Sequence, residues 1–346
     1  MNDPGKIRNI ALVGHRGTGK TSLFEALLYS AGALTRLGSV GDGTTFSDWD
    51  DAQRSDGVAD ELGLGRILFC NMLDRERADF ANDVKSLRET FGAQVAAVQL
   101  PIGKEHDLKG IVDLLGMKAY TYEGGKAKAG DIPAELADEA AAARDKLIDA
   151  IASTNDELAE KYLMEEEISP AELNSAFAAA VASAQLFPVA CGSATGAVGV
   201  DRLFEVLALA PSPSVAPPRV LVDADGNETA VDCDPGKPAV AFVFKTLADP
   251  FSGHVNVFRV FQGTVTSDSQ FSVSRDGHKE RFGQLLKTMG KENKPAETLV
   301  AGDIGAIAKL KDVVTGDTLH ADGVTGAFPA IAFPVSYTHL TLPTKA

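Results

Sequence analysis

Gly14-His15-Arg16-Gly17-Thr18-Gly19-Lys20-Thr21 is the stretch whose reading decides the fold. Before it runs Asn9-Ile10-Ala11-Leu12-Val13, an apolar segment that reads as a short buried strand. After it, Ser22-Leu23-Phe24-Glu25-Ala26-Leu27-Leu28-Tyr29 repeats its apolar residues at helical spacing. Strand, glycine-rich turn and helix is the setting a phosphate-cradling loop requires. Gly14 and Gly19 let the backbone curl so that successive N–H groups face an anion. The helix N-terminus behind them adds partial positive charge. In such a loop Lys20 reaches the β- and γ-phosphates and the Thr21 hydroxyl holds Mg²⁺.

A chain of 346 residues has room for two or three domains and a sizeable core. Its formal net charge of −15 argues against simple electrostatic adhesion to nucleic acid or an anionic membrane, and no direct binding of free DNA is expected. Cys70, Cys191 and Cys233 are far apart and form no CxxC pair, so a reducing compartment is expected, with neither a disulfide framework nor a zinc site. Cys70 and Cys191 each end an apolar run and read as buried structural thiols. Met1-Asn2-Asp3-Pro4-Gly5 carries no apolar signal region, and no apolar run is long enough to span a bilayer. A cytoplasmic protein with no membrane partner is expected.

Ala33 to Gly65 is rich in Gly, Asp, Ser and Thr and reads as loop. Within it Thr44 and Thr45 are either γ-phosphate or Mg²⁺ contacts or ordinary loop threonines. Arg66-Ile67-Leu68-Phe69-Cys70 reads as the next buried strand and runs into Asn71-Met72-Leu73-Asp74-Arg75. Asn-x-x-Asp at the C-terminal end of a strand lies where open α/β sheets place ligand contacts. A carboxylate there can accept both the N1–H and N2–H₂ donors of guanine, a pair that adenine lacks. The alternative is that Asn71 or Asp74 caps the following helix. Residues 77–91 have helical spacing and 94–100 read as a strand. Residues 184–190 form another strand-like run, into Cys191-Gly192-Ser193-Ala194, whose turn offers a backbone N–H to guanine O6. A closing helix over 202–209 precedes the proline-rich boundary Pro211-Ser212-Pro213 and Pro217-Pro218.

With these motifs in order, the chain resembles the translational GTPases, and specifically elongation factor G and its paralogues. Gly14–Thr21 matches that family's phosphate loop, and Asn71-Met72-Leu73-Asp74-Arg75 resembles its Asn-Lys-x-Asp-Arg motif. Gly192-Ser193-Ala194 resembles its guanine loop. Lys109-Gly110-Ile111-Val112-Asp113-Leu114 resembles the start of its extra subdomain. Phe258-Arg259-Val260-Phe261-Gln262-Gly263 resembles part of its second domain. The resemblance implies an α/β P-loop GTPase domain with a mostly parallel, incomplete sheet over 1–212. It implies a helical insert over about 101–184, a linker over 213–237 and an all-β barrel domain over 238–330. It also implies GTP or GDP with Mg²⁺, bound by Gly14–Thr21, Asn71, Asp74, Ser193 and Ala194, and a ribosomal partner. By their own pattern, helices of the insert start at Pro133, at Asn155 or Asp156, and at Ser169-Pro170-Ala171-Glu172, a capping box. Residues 239–244 and 254–260 read as strands and Arg275-Asp276-Gly277-His278 as a tight hairpin.

The departures from the family are specific. Between Thr21 and Asn71 the family carries two switch regions, whereas this interval holds one helix, one polar loop and one strand. No Asp-x-Pro-Gly occurs in the chain; Asp60-Glu61-Leu62-Gly63 fits only a looser pattern. With interior strands missing, a rearranged or open sheet is expected. Without the switch glycine, impaired hydrolysis is expected. Met72 replaces the family's lysine. The later domains that enter the decoding site are missing, and residues 335–346 resemble a translated adapter sequence, expected to be non-native. The reading is therefore a GTP-binding, elongation-factor-G-like fragment. The alternative is a non-catalytic nucleotide-binding or ribosome-interaction module.

Overall fold

The structure, a computed structural model, describes residues 3–14, 17–40, 64–164, 166–215, 218–249, 253–289, 292–310 and 312–329. His15, Arg16, Thr44, Thr45, Asp60–Gly63 and the 335–346 tail lie outside the described residues. Two compact units divide the chain. One spans residues 8–211, and the other takes the rest from 212 onward together with the first seven residues.

Among its described residues the first unit is built on the strands β1 (Leu68–Cys70), β2 (Val95–Ala97), β3 (Gln99–Ile102), β4 (Gly110–Asp113), β5 (Lys118–Glu123), β6 (Lys126–Gly130) and β7 (Phe187–Cys191). Its helices there are α1 (Lys20–Ser30), α2 (Phe80–Phe91), α3 (Ala137–Ala152), α4 (Asp156–Leu163), α5 (Pro170–Ala182) and α6 (Val200–Leu207). β7 lies between β1 and β2 in a parallel three-stranded sheet, with Cys70 opposite Cys191. Every residue of β7 is buried, as a strand covered on both faces must be. α2 and α3 pack on β2, and α6 packs on β7 and α1.

The Asn9–Val13 run corrects one expectation. It forms no strand, and Ile10 and Val13 are exposed. A strand needs a paired neighbour, and β1 pairs only with β7 among the described residues. Among the described residues that edge of β1 is therefore unpaired.

The insert is not purely helical. It opens with an antiparallel sheet in the order β3-β4-β5-β6. The sequence carries its signal: alternating burial along Lys118–Glu123, then Gly124-Gly125, then Lys126. Both glycines have positive φ, 57° and 77°, which a two-residue hairpin loop of this hand requires. The sheet is tied to α6 by Tyr122, whose hydroxyl donates to Asp201, and by Arg202 stacked 4.6 Å over Tyr120. The helical part follows its caps. Asn155 accepts the Leu158 N–H, and Ser169 and Glu172 form a complete capping box.

The second unit contains β8 (Arg219–Val222), β9 (Glu228–Val231), β10 (Val240–Asp249), β11 (Gly253–Gln262), β12 (Thr264–Thr266), β13 (Gln270–Val273), β14 (Lys279–Arg281), β15 (Leu285–Met289), β16 (Glu292–Ala296), β17 (Thr298–Val300), β18 (Ile304–Ala308) and β19 (Thr318–His320). Eight of them form one antiparallel sheet, β14-β13-β19-β10-β11-β18-β15-β16. Register shifts in β10 bend it so that the sheet curls around Phe258, Phe271, Phe282 and Leu285. Among the described residues its end strands do not pair with each other, so the expected barrel is a curled half-barrel; β12 and β17 pair separately and add Val265 and Leu299 to the core. The 213–237 stretch, expected as a linker, carries the β8–β9 hairpin. Leu221 and Val231 of that hairpin pack with Val240.

Phe258 is fully buried, 5.5 Å from the Phe282 ring. Phe258→Ala is expected to cost the second unit about 3–5 kcal/mol, read by urea unfolding. In the insert, the Lys161 ammonium and then the Ser169 hydroxyl and N–H hold the Glu172 carboxyl down to about 2. A depressed acid adds stability that is complete above the ordinary value near 4.5 and is lost as pH falls toward about 2. Helicity followed by circular dichroism should separate wild type from Glu172→Gln above that window and not below it.

Candidate functional site

Three distant stretches converge on the side chain of Asn71. Its Nδ2 donates to the Thr18 carbonyl at 3.1 Å, and its Oδ1 accepts the Ala194 N–H at 2.9 Å. Two backbone bonds bring the strand ends to it: Gly192 N–H to Cys70 O at 3.1 Å and Leu73 N–H to Gly192 O at 3.2 Å. The parallel pairing of β1 and β7 sets this register, so the C-terminal ends of both strands open on the same side.

The loop itself ends on Gly19, the N-cap of α1, at φ 80°. A Cβ there would lie 2.6 Å from Asn71 Nδ2 and 2.8 Å from Met72 Cε. Both the left-handed backbone and the close approach of Asn71 require glycine. Lys20 begins the helix and its ammonium donates to the Gly14 carbonyl at 2.7 Å. The Thr21 hydroxyl makes no hydrogen bond among the described residues. No cluster of three His, Cys, Asp or Glu side chains that could hold a metal exists among them either. The uncommitted Thr21 hydroxyl fits Mg²⁺, which takes one or two protein oxygens and completes its shell with phosphate and water.

Asp74 stands one turn further along. Its Oδ2 accepts the Thr195 hydroxyl at 3.3 Å, while its Oδ1 is buried and has no partner. An unpaired buried carboxylate oxygen is costly unless a ligand donor reaches it. Asp74 is therefore not capping a helix; α2 is capped by Asp79, which accepts the Asn82 N–H. Ser193 is fully buried and its Oγ accepts the Gly196 N–H at 3.0 Å, which shapes the turn. A cleft of about 580 Å³ meets Asp74, Ser193 and Thr195 on one side and Tyr29, Arg36 and Tyr122 on the other. The described residues of the phosphate loop are not in its wall.

The structure thus brings together Thr18, Asn71, Asp74, Ser193 and Ala194, with Lys20 and Thr21 on the adjoining helix turn. Thr195 stands one residue beyond the Gly-Ser-Ala match, so the motif does not point to it. Met72 holds φ 65°, unusual for a residue with a side chain, and lays that side chain toward Gly19. The two strand-end thiols are displaced from their ordinary acidity: burial pushes Cys70 up to about 12, and burial raises Cys191 well above its usual value.

Comparison with known proteins finds similarity at the start of the first unit and across the curled β domain. The model of the elongation factor Tu GTP binding domain matches residues 5–61, and that of elongation factor G domain 2 matches residues 238–322. The crystal structure of ttk003000868 from Thermus thermophilus superposes with a TM-score of 0.79 at 27% identity. The match covers 95% of this chain and 57% of that one, so the chain spans little more than half the length of this relative. With the phosphate-loop sequence and the curled β domain in the expected order, the chain is similar to the elongation-factor-G-like translational GTPases over a G domain and domain II.

Proposed function

We propose that the first unit binds GTP and GDP with Mg²⁺, as the nucleotide module of an elongation-factor-G-like protein that works on the ribosome in the cytoplasm. The observation that carries this reading is the unpartnered Asp74 Oδ1, buried at the mouth of the cleft. Guanine presents two adjacent N–H donors, a pair that adenine lacks, so guanine is the purine that can meet both oxygens of this carboxylate. Thr195 fixes Oδ2 and thereby the plane of the carboxylate. Lys20, held over the loop by Gly14, exchanges that carbonyl for phosphate oxygens, and the loop N–H groups behind it supply further donors. Mg²⁺ would sit at Thr21 and neutralise charge on the phosphates.

A second reading is favoured by one sequence fact, the missing Asp-x-Pro-Gly. Without that motif its aspartate and glycine are not there to place an attacking water, and the second reading is a non-catalytic nucleotide-binding or ribosome-interaction module. No helix among the described residues is long and apolar enough to cross a membrane.

Fluorescent GDP titrated with and without Mg²⁺ tests the reading. Lys20→Ala is expected to weaken binding at least tenfold, the loss of about 1.5–3 kcal/mol in charge-assisted hydrogen bonds. Asp74→Ala should narrow the preference for GDP over ADP by about tenfold or more while leaving the chain folded. Equal affinity for the two nucleotides in the wild type would sink the base assignment. Gly19→Ala is expected to displace Asn71, lower the melting temperature and abolish GDP binding together.

A further inference from the structure

On the outer face of the curled sheet one charge stands without a counter-charge. Arg259 of β11 is opposite Phe242 of β10 and Ile304 of β18, on the face turned away from the core residues Phe258 and Val260. Its guanidinium lies 4.8 Å over the Phe261 ring, which is itself 4.7 Å from Phe328. Its Nε is buried and meets no acceptor. A second guanidinium, Arg219 at the start of β8, shares a strand face with Leu221, which packs with Phe261 and Phe328. The Cys233 thiol acts on Arg259 from the other side of the same hairpin. Neither arginine forms an ion pair among the described residues. The nearby acids are engaged elsewhere: Asp232 pairs with Lys237, and Asp234 accepts the Gly236 N–H. Burial pushes Arg259 below the ordinary arginine value, and Arg219 adds to that shift, against the Cys233 thiol.

A half-buried guanidinium 4.8 Å over an aromatic ring, beside another cation, is poised to accept an anion. We propose that Arg259 and Arg219 form a binding site for a dianionic phosphate. Two positive charges, one held on Phe261 and one on the exposed start of β8, match a dianion, whereas a carboxylate would balance only one. The fork of each guanidinium suits tetrahedral phosphate oxygens. Phe261 fixes the Arg259 plane, so little freedom is lost on binding. The source is either free inorganic phosphate or the terminal phosphomonoester of a nucleotide. This site is on the second unit and is independent of the guanine reading.

The test uses the full chain carrying Lys20→Ala, so that the phosphate loop does not report. Calorimetric titration with inorganic phosphate, and separately with uridine 5′-monophosphate, is run at matched ionic strength. One equivalent of either ligand is expected to bind. Affinity should fall at least tenfold in Arg259→Met and be clearly weakened in Arg219→Ala. Tighter binding of the nucleotide assigns the phosphomonoester, and binding of inorganic phosphate alone assigns the free anion. No saturable binding of either, or binding that survives both arginine substitutions, overturns the proposal. Should Arg259→Met fail to fold, the exposed Arg219→Ala decides, since its side chain packs no core.

Discussion

The amide of Asn71 is the interaction on which the nucleotide end of this molecule depends. One side chain satisfies a carbonyl of the phosphate loop and an N–H of the Ser193-Ala194 turn, residues 53 positions before it and 123 after it. Both bonds hold only while β1 and β7 keep their register and while position 19 has no Cβ. A polar junction of this kind tolerates little, because losing one partner strands the others in a poorly hydrated place. The geometry of Asp74 follows from it, three residues along the same turn.

Much of this is legible in the residues. The helix at Lys20–Ser30 behind Gly19, the Asn155 and Ser169 caps and the Asp276-Gly277 hairpin are local signals, written within a few positions, and the chain forms them where they are written. The Asn9–Val13 run is not, because pairing is decided by a neighbour elsewhere in the chain. Its apolar content looks the same with or without that neighbour. The β3–β6 sheet is missed for the opposite reason: its hairpin signal is plain, but the family resemblance draws attention to helices. Thr195 and the Arg259–Arg219 pair are beyond any reading of the residues. Each is a meeting of side chains whose distance in space bears no relation to their distance in sequence.

The two units also divide their polar commitments differently. In the first, unsatisfied polarity is concentrated at Asp74, at the end of a sheet where open α/β folds gather ligands. In the second, the buried face of β11 carries Asn256, whose Oδ1 accepts the Thr246 hydroxyl while its Nδ2 goes unmet, and the outer face carries Arg259. A sheet core can absorb one such amide at modest cost. An unmatched guanidinium asks more of its surroundings.

The facing cysteines at the ends of β1 and β7 have a practical corollary. With burial pushing Cys70 up to about 12 and Cys191 well above its ordinary value, both thiols stay protonated at neutral pH. Alkylating reagents attack the thiolate, so both sulfurs are mute while the strands stay together. Their labelling rate then becomes a clock for the parting of β1 from β7, and so for the opening of the junction that Asn71 closes.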